Sequence, residues 1–189
     1  RDSPVSSLKK YVSPSSLRPD LSDGRAYPYF LRVAPSDALV ATALADLLTN
    51  FLNYTSVAMV SASDAYSAGT ARAFRDASVQ AGVVLSADVR FAEHAVDLTQ
   101  EVAQLRQSSA RVIMLFSQPK DGSNFVRTAL GAGVGGEGFV WLSGDSALVG
   151  LEQWSGDPLE HERAFRGFLA MEPSNGQGTA AHDAFLARR

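Results

Sequence analysis

The residues of this chain best suited to chemistry are short polar groups that follow apolar runs. Ser61 to Tyr66 come after Ser56–Val60, Ser117-Gln118 after Arg111–Phe116, and Ser143 and Asp145 after Phe139–Leu142. Taken singly, each Ser or Asp is accounted for as a cap on the helix that follows. Taken together, hydroxyls and a carboxylate converging on one rim suit a small polar ligand. Other chemistries lack their residues. The chain has no cysteine, which excludes thiolate catalysis, thiolate-held metals and disulfides. His94, His161 and His182 stand far apart without metal-ligand spacing, and no Gly-x-Ser-x-Gly elbow occurs. Asp64 and Asp145 could approach one another across a sheet, but no sequence feature tunes either, so no enzyme is expected. Gly131-Ala-Gly-Val-Gly-Gly136 matches a dinucleotide string, yet it lies between a helix and a strand. The pyrophosphate of a dinucleotide needs the reverse order, so this is a turn and no cofactor is expected.

The elements that must position these residues follow from periodicity. Tyr27–Val33 reads as extended, with its proline near the start. Pro35-Ser36-Asp37 opens a helix whose face is Val40, Ala43, Leu44, Leu47, Leu48 and Phe51, ending near residues 50–53. A strand over Ser56–Val60 leads through a polar loop, Ser61 to Ala68, into a helix marked by Ala71, Phe74, Ala77 or Ser78, and Ala81. Gly82 supplies a left-handed stop. Val83–Phe91 is the next strand, and Asp97-Leu-Thr-Gln100 resembles a capping box ahead of Leu98, Val102 and Leu105. Arg111–Phe116 is a buried strand, Ser117–Ser123 a loop, and Phe125–Leu130 a short helix. Gly131–Gly138 turns into the strand Phe139–Leu142. Beyond Asp145, Arg163–Met171 is extended, Glu172–Thr179 is a loop and Ala180–Arg189 a final helix. This alternation predicts an α/β fold, a parallel sheet covered by helices on both faces. Loops at the carboxyl ends of its strands are where ligands bind.

Composition bounds the partners. The 189 residues are 46% hydrophobic and 20% charged, with 17 basic and 20 acidic residues. That is an ordinary globular balance, without the basic cluster a nucleic-acid surface needs. The longest apolar runs, such as Val112–Phe116, are too short to span a bilayer, so any membrane attachment would come through segments outside this chain. The opening Arg-Asp-Ser-Pro carries no signal peptide and reads as a fragment or mature segment. Asn53-Tyr54-Thr55 is an N-glycosylation sequon, a triplet that also arises by chance and has meaning only in a secreted eukaryotic chain.

Tyr27-Pro-Tyr-Phe-Leu-Arg-Val-Ala-Pro-Ser-Asp37, preceded by Leu21-Ser-Asp23, resembles the ligand-binding region of class C receptors. These are the metabotropic glutamate and GABA-B types, akin to natriuretic-peptide receptors and type I periplasmic binding proteins. The resemblance continues through Asn53–Val60, Tyr66 ahead of Gly69 and Phe74, Leu142–Ser146 and Gly167–Ser174. It implies a type I periplasmic-binding-protein lobe, mainly the second of two that close on a ligand. Residues 1–26 would be an irregular hinge or crossing segment, 27–150 the α/β second lobe, and 151–189 a return toward the hinge and first lobe. Ser15 or Ser16 would correspond to hinge-side hydroxyls that contact the ligand's amino-acid head. Tyr66 would be the second-lobe aromatic that packs over it, and Asp145 the carboxylate that pairs with its ammonium group. Ser117 joins this set from its strand end. The family's Asn/Asp-Tyr-Gly becomes Ala65-Tyr66-Ser67, and its Ser-Asp-Gly becomes Gly144-Asp145-Ser146.

The resemblance thus implies an extracellular ligand-sensing fragment that binds an amino acid or amine and signals by lobe closure, working as a homo- or hetero-dimer. A soluble solute-binding protein for uptake, periplasmic or secreted, and a non-binding receptor-like scaffold subunit are the other expectations.

Overall fold

The computed structural model describes residues 10–144, 164–171 and 178–188. Asp145, Ser146, His161 and most of the Glu172–Thr179 loop therefore lie outside the described residues. The described residues form seven strands: β1 (Tyr11–Ser13), β2 (Phe30–Arg32), β3 (Ser56–Ala62), β4 (Val84–Phe91), β5 (Val112–Phe116), β6 (Val140–Gly144) and β7 (Phe168–Met171). The α-helices among the described residues are α1 (Asp37–Asp46), α2 (Ala65–Ala81), α3 (Thr99–Gln107), α4 (Pro119–Gly131) and α5 (Ala180–Leu186).

The strands form an all-parallel five-stranded sheet in the order β4-β3-β5-β6-β7. β5 is apolar at every position and β3 is apolar from Val57 to Val60, because both faces of the sheet are covered. Val57 and Met59 of β3, with Val112, Met114 and Phe116 of β5, meet Ala41 and Leu44 of α1, Leu48 of the turn that follows it, and Ala71 and Phe74 of α2. The alternate residues Ala58, Val60, Ile113 and Leu115 meet Val102, Leu105, Phe125 and Val126 from α3 and α4. On that second face Phe91, Phe125, Trp141 and Phe168 succeed one another with ring centroids 5.0, 6.5 and 6.4 Å apart. This is the α/β lobe architecture that the resemblance implies.

The edge strand β4 is bulged. Its register with β3 shifts between Val57 and Ala58, which leaves Ser86 without a backbone opposite, and the Ser86 hydroxyl donates to the Val57 carbonyl at 3.1 Å. A bulge and the charged Asp88 and Arg90 blunt an edge that would otherwise template pairing.

Several boundaries differ from the periodicity reading, each for a local reason. Helix α2 starts at Ala65, within the expected loop, because Asp64 caps it: Oδ1 accepts from the backbone N–H groups of Tyr66 and Ser67, both at 3.1 Å. Helix α4 starts at Pro119, also inside an expected loop, since a proline at the first position gives up a donor that has no partner there. The capping box at Asp97 is replaced by a simpler turn, in which its Oδ1 accepts from Thr99 N–H at 3.0 Å and Leu98 occupies the cap position. Helix α1 ends at Asp46 and continues as a π-turn, Leu47–Phe51. Gly82 is left-handed at φ 74°, as a helix stop requires.

Candidate functional site

The chain leaves β3 through α2 to reach β4 on one side, then crosses back through α3 to reach β5 on the other. The direction of winding thus reverses between β3 and β5, and a crevice opens outside the carboxyl ends of two such strands. Its walls are the first turns of α2 and α4.

On the α2 side, the Asp64 cap places Tyr66 in the first helical turn, half-buried. The second carboxylate oxygen of Asp64 and the hydroxyl of Ser67 are both buried and meet no hydrogen-bond partner among the described residues. On the α4 side, Ser117 is fully enclosed. A Cβ built on Gly122 would fall 2.3 Å from the Ser117 hydroxyl oxygen, so this side chain lies directly beneath the first turn of α4 and is shut off from the crevice. Ser143 is buried as well, and its hydroxyl donates to the Leu115 carbonyl at 2.8 Å. Ser143 thus holds its strand end to the neighbouring strand, Ser117 is enclosed under α4, and the open wall of the crevice belongs to α2.

The loop after β4 ties the rim together. Glu93 N–H donates to the Ser63 hydroxyl at 3.0 Å. The buried Asp121 of α4 accepts from His94 N–H at 3.2 Å, and its other oxygen lies 3.4 Å from His94 Nδ1. Asn124 Nδ2 donates to the Ala95 carbonyl at 2.9 Å. His182 lies 3.7 Å from Asp183, and no group of His, Cys, Asp and Glu among the described residues could hold a metal ion.

The serine-rich segment reaches the same wall from the amino-terminal side. Ser13 organises it: its hydroxyl accepts from Ser15 and Ser16 N–H at 3.3 and 3.0 Å and donates to the Ser16 hydroxyl at 2.7 Å. Ser15 is exposed and Ser16 half-buried. Arg32, from β2, donates to the Ser16 and Arg18 carbonyls at 3.4 and 2.8 Å and to the Ser22 hydroxyl, clamping the segment. The segment then docks through Asp37, whose N–H donates to the Leu17 carbonyl at 2.9 Å. The Asp37 carboxylate lies 3.1 Å from the hydroxyl of Thr70, and that hydroxyl is also 3.1 Å from the Tyr66 carbonyl. A continuous path of hydrogen bonds thus joins the serine segment to the turn that carries Tyr66. Periodicity does not reveal Thr70 or the clamping role of Arg32. Thr70 stands one helical turn after Tyr66, which is the only sequence sign of its part.

A groove of about 560 Å³ runs down the outer side of α1 and α2. It is floored by Gly69, Ala73 and Ala77 and rimmed by Arg18, Arg72 and Asp76. It begins at Ala65, beside Tyr66 in the first turn of α2, and follows the helix as far as Gln80.

Known proteins place this arrangement. The family model described as receptor family ligand binding region matches residues 8–188. The chain is 30% identical over 112 residues to a probable metabotropic glutamate receptor of Caenorhabditis elegans, covering 56% of this chain and 11% of that protein. It is 30% identical over 139 residues to metabotropic glutamate receptor 4 of Macaca fascicularis, covering 71% of this chain and 15% of that one. The chain therefore spans only a small part of the relatives it matches.

Proposed function

The chain belongs to the family of receptor ligand-binding regions, and from that premise we propose that it is the sensing lobe of an extracellular receptor for a small amino-acid-like ligand. The observation that carries this reading is the position of Tyr66. It stands in the first turn of α2, at the switch-point crevice, and is wired through Thr70 and Asp37 to the segment that holds Ser15 and Ser16. Two pieces that the resemblance assigns to one ligand are thus mechanically joined in this fold.

The division of labour follows from chemistry. Tyr66 gives the ligand apolar cover and an aromatic face suited to a cation. Asp145 pairs with its ammonium group, and Ser15 and Ser16 offer hydroxyls to its carboxylate end. Ser117 supports the crevice wall from beneath α4 rather than touching the ligand. No step in this scheme makes or breaks a covalent bond; the work is recognition, and the chain acts as a receptor piece and not as a catalyst.

The ribbon formed by β1 and β2 supports a second lobe. It has only three residues per strand, and Tyr11, Val12, Leu31 and Val33 are each at least 60% exposed. So small a parallel ribbon does not stand alone in water, which suits strands that continue into another sheet. A ligand bound between the lobes favours the closed form by its differential affinity, and closure is what a partner protomer or a membrane segment elsewhere in the protein reads. Among the described residues no helix is long and apolar enough to cross a membrane. The relatives are named for glutamate, which puts acidic amino acids first among ligands to test. Tyr66→Ala and Asp145→Ala proteins that bind such a ligand as tightly as the parent would refute this site.

A further inference from the structure

The amino-terminal end of the sheet, opposite the crevice, carries a surface feature that ligand binding does not use. Asn53 is exposed and left-handed, at φ 55°, in the turn between the π-turn and β3. Asn tolerates that conformation better than other side chains that carry a Cβ. The turn is firmly held: Tyr54 N–H donates to the Leu48 carbonyl at 2.8 Å, and the Thr55 carbonyl accepts from Val84 N–H at 2.8 Å. Tyr54 packs against the core beneath α1, so its neighbours Asn53 and Thr55 are both turned to solvent. Phe51, two residues before Asn53, is 77% exposed. Phe51-Leu52-Asn53-Tyr54-Thr55 therefore sets an aromatic ring, a carboxamide and a hydroxyl at alternate positions around one rigid turn.

We propose that Asn53 carries an N-linked glycan whose first sugar rests on the ring of Phe51. This rests on the extracellular placement proposed above, because the donor is a lipid-pyrophosphate-linked oligosaccharide of the secretory pathway. In the transfer the Asn53 side-chain nitrogen bonds to the anomeric carbon of that donor. The bond from this carbon to the pyrophosphate oxygen breaks, and its electron pair leaves with the lipid pyrophosphate. One amide proton passes to a basic group of the transferase, and nothing is oxidised or reduced. Thr55 is the hydroxyl residue at the second position that the transferase requires. The apolar C–H face of a pyranose then covers a ring that would otherwise stand in water. The site is compatible with ligand binding, since β3, about 20 Å long at its residue rise, separates Asn53 from the turn that bears Tyr66.

The test uses the full-length protein made in a eukaryotic secretory host, with cell-surface molecules tagged by a membrane-impermeant biotin reagent. Peptide N-glycosidase digestion in heavy-oxygen water should convert Asn53 to a labelled Asp. Thr55→Ala should abolish the label, and Thr55→Ser should keep it. An unmodified Asn53 on surface-tagged protein overturns the glycan while leaving the extracellular reading intact. An unmodified Asn53 on protein that the reagent cannot reach overturns both. For the sugar contact, Phe51→Ala should lower the melting temperature of the glycosylated form and leave the enzymatically deglycosylated form unchanged. An equal change in the two forms overturns the contact.

Discussion

Thr70 Oγ1 lies 3.1 Å from Oδ2 of Asp37, and this hydrogen bond between residues 33 apart in sequence is sealed from water. It is the point at which the amino-terminal segment, α1 and α2 are fastened together, since Asp37 N–H also holds the Leu17 carbonyl. Buried polar contacts of this kind cost most when only one partner is removed. Thr70→Val should therefore lower the unfolding free energy by about 1–3 kcal/mol. Combined with Asp37→Asn it should show a coupling of about 0.5–3 kcal/mol in a double-mutant cycle read by urea denaturation. Strict additivity would mean that the two groups do not act together.

Gly122 and Ser117 form a second tight pair. The ideal Cβ at Gly122 meets the Ser117 hydroxyl oxygen at 2.3 Å, while its next neighbours, Leu115 Cδ2 and Ser117 Cβ, stand at 3.5 and 3.6 Å. Only the hydroxyl is in the way. In an open helix Gly→Ala is stabilising by about 1 kcal/mol, yet here Gly122→Ala should destabilise by about 1–3 kcal/mol through overpacking. Adding Ser117→Ala should restore most of the loss, with both effects read from thermal melts. A Gly122→Ala protein as stable as the parent would show that the Ser117 hydroxyl turns aside without cost, contradicting the overpacking.

Asp88 gives a pH signature. Burial pushes its carboxyl upward, but hydrogen bonds from Arg90 and Arg75 outweigh this and hold it below its ordinary value of 3.8. Arg75 contacts it at 2.5 Å and Arg90 at 3.2 Å. A carboxyl depressed on folding contributes stability that is complete above its unfolded value and lost as the pH falls through the folded one. Asp88→Asn should thus cost about 1 kcal/mol or less at pH 7, because the pair is partly solvated. The difference from the parent should shrink as the pH drops below 3.8. A difference that grows in acid would contradict the assignment.

Much of the sheet is legible in the sequence because burial on both faces writes strands as unbroken apolar runs, as at Val112–Phe116 and Val57–Val60. Gly82 marks the end of α2 just as plainly. The starts of α2 and α4 are harder to read because their first turns are polar yet buried. Ser67, Asp121, Gly122 and Ser123 suggest loops by composition, while tertiary contacts enclose them. Ser36 and Asp37 both read as possible helix caps; Ser36 takes that role, accepting from Ala38 N–H at 3.2 Å, and Asp37 turns inward to Thr70. Tyr66 enters through its resemblance to a family motif. The path that connects it to the serine segment depends on contacts across long stretches of chain, which periodicity does not record.

The central claim is that this lobe helps to hold an amine-bearing ligand against Tyr66 and Asp145. Its most direct test is a thermal-shift titration of the full-length protein with the common amino acids and amines, acidic amino acids first. Binding to the folded state raises the melting temperature by mass action, by about 2.7 kcal/mol of stability at a hundredfold excess over Kd. The account predicts such a rise for at least one amino acid, weakened roughly 10- to 100-fold in affinity, about 1.4–2.8 kcal/mol, by Tyr66→Ala and by Asp145→Ala. A folded protein that shifts with none of the panel, or whose shift survives both substitutions, would contradict it.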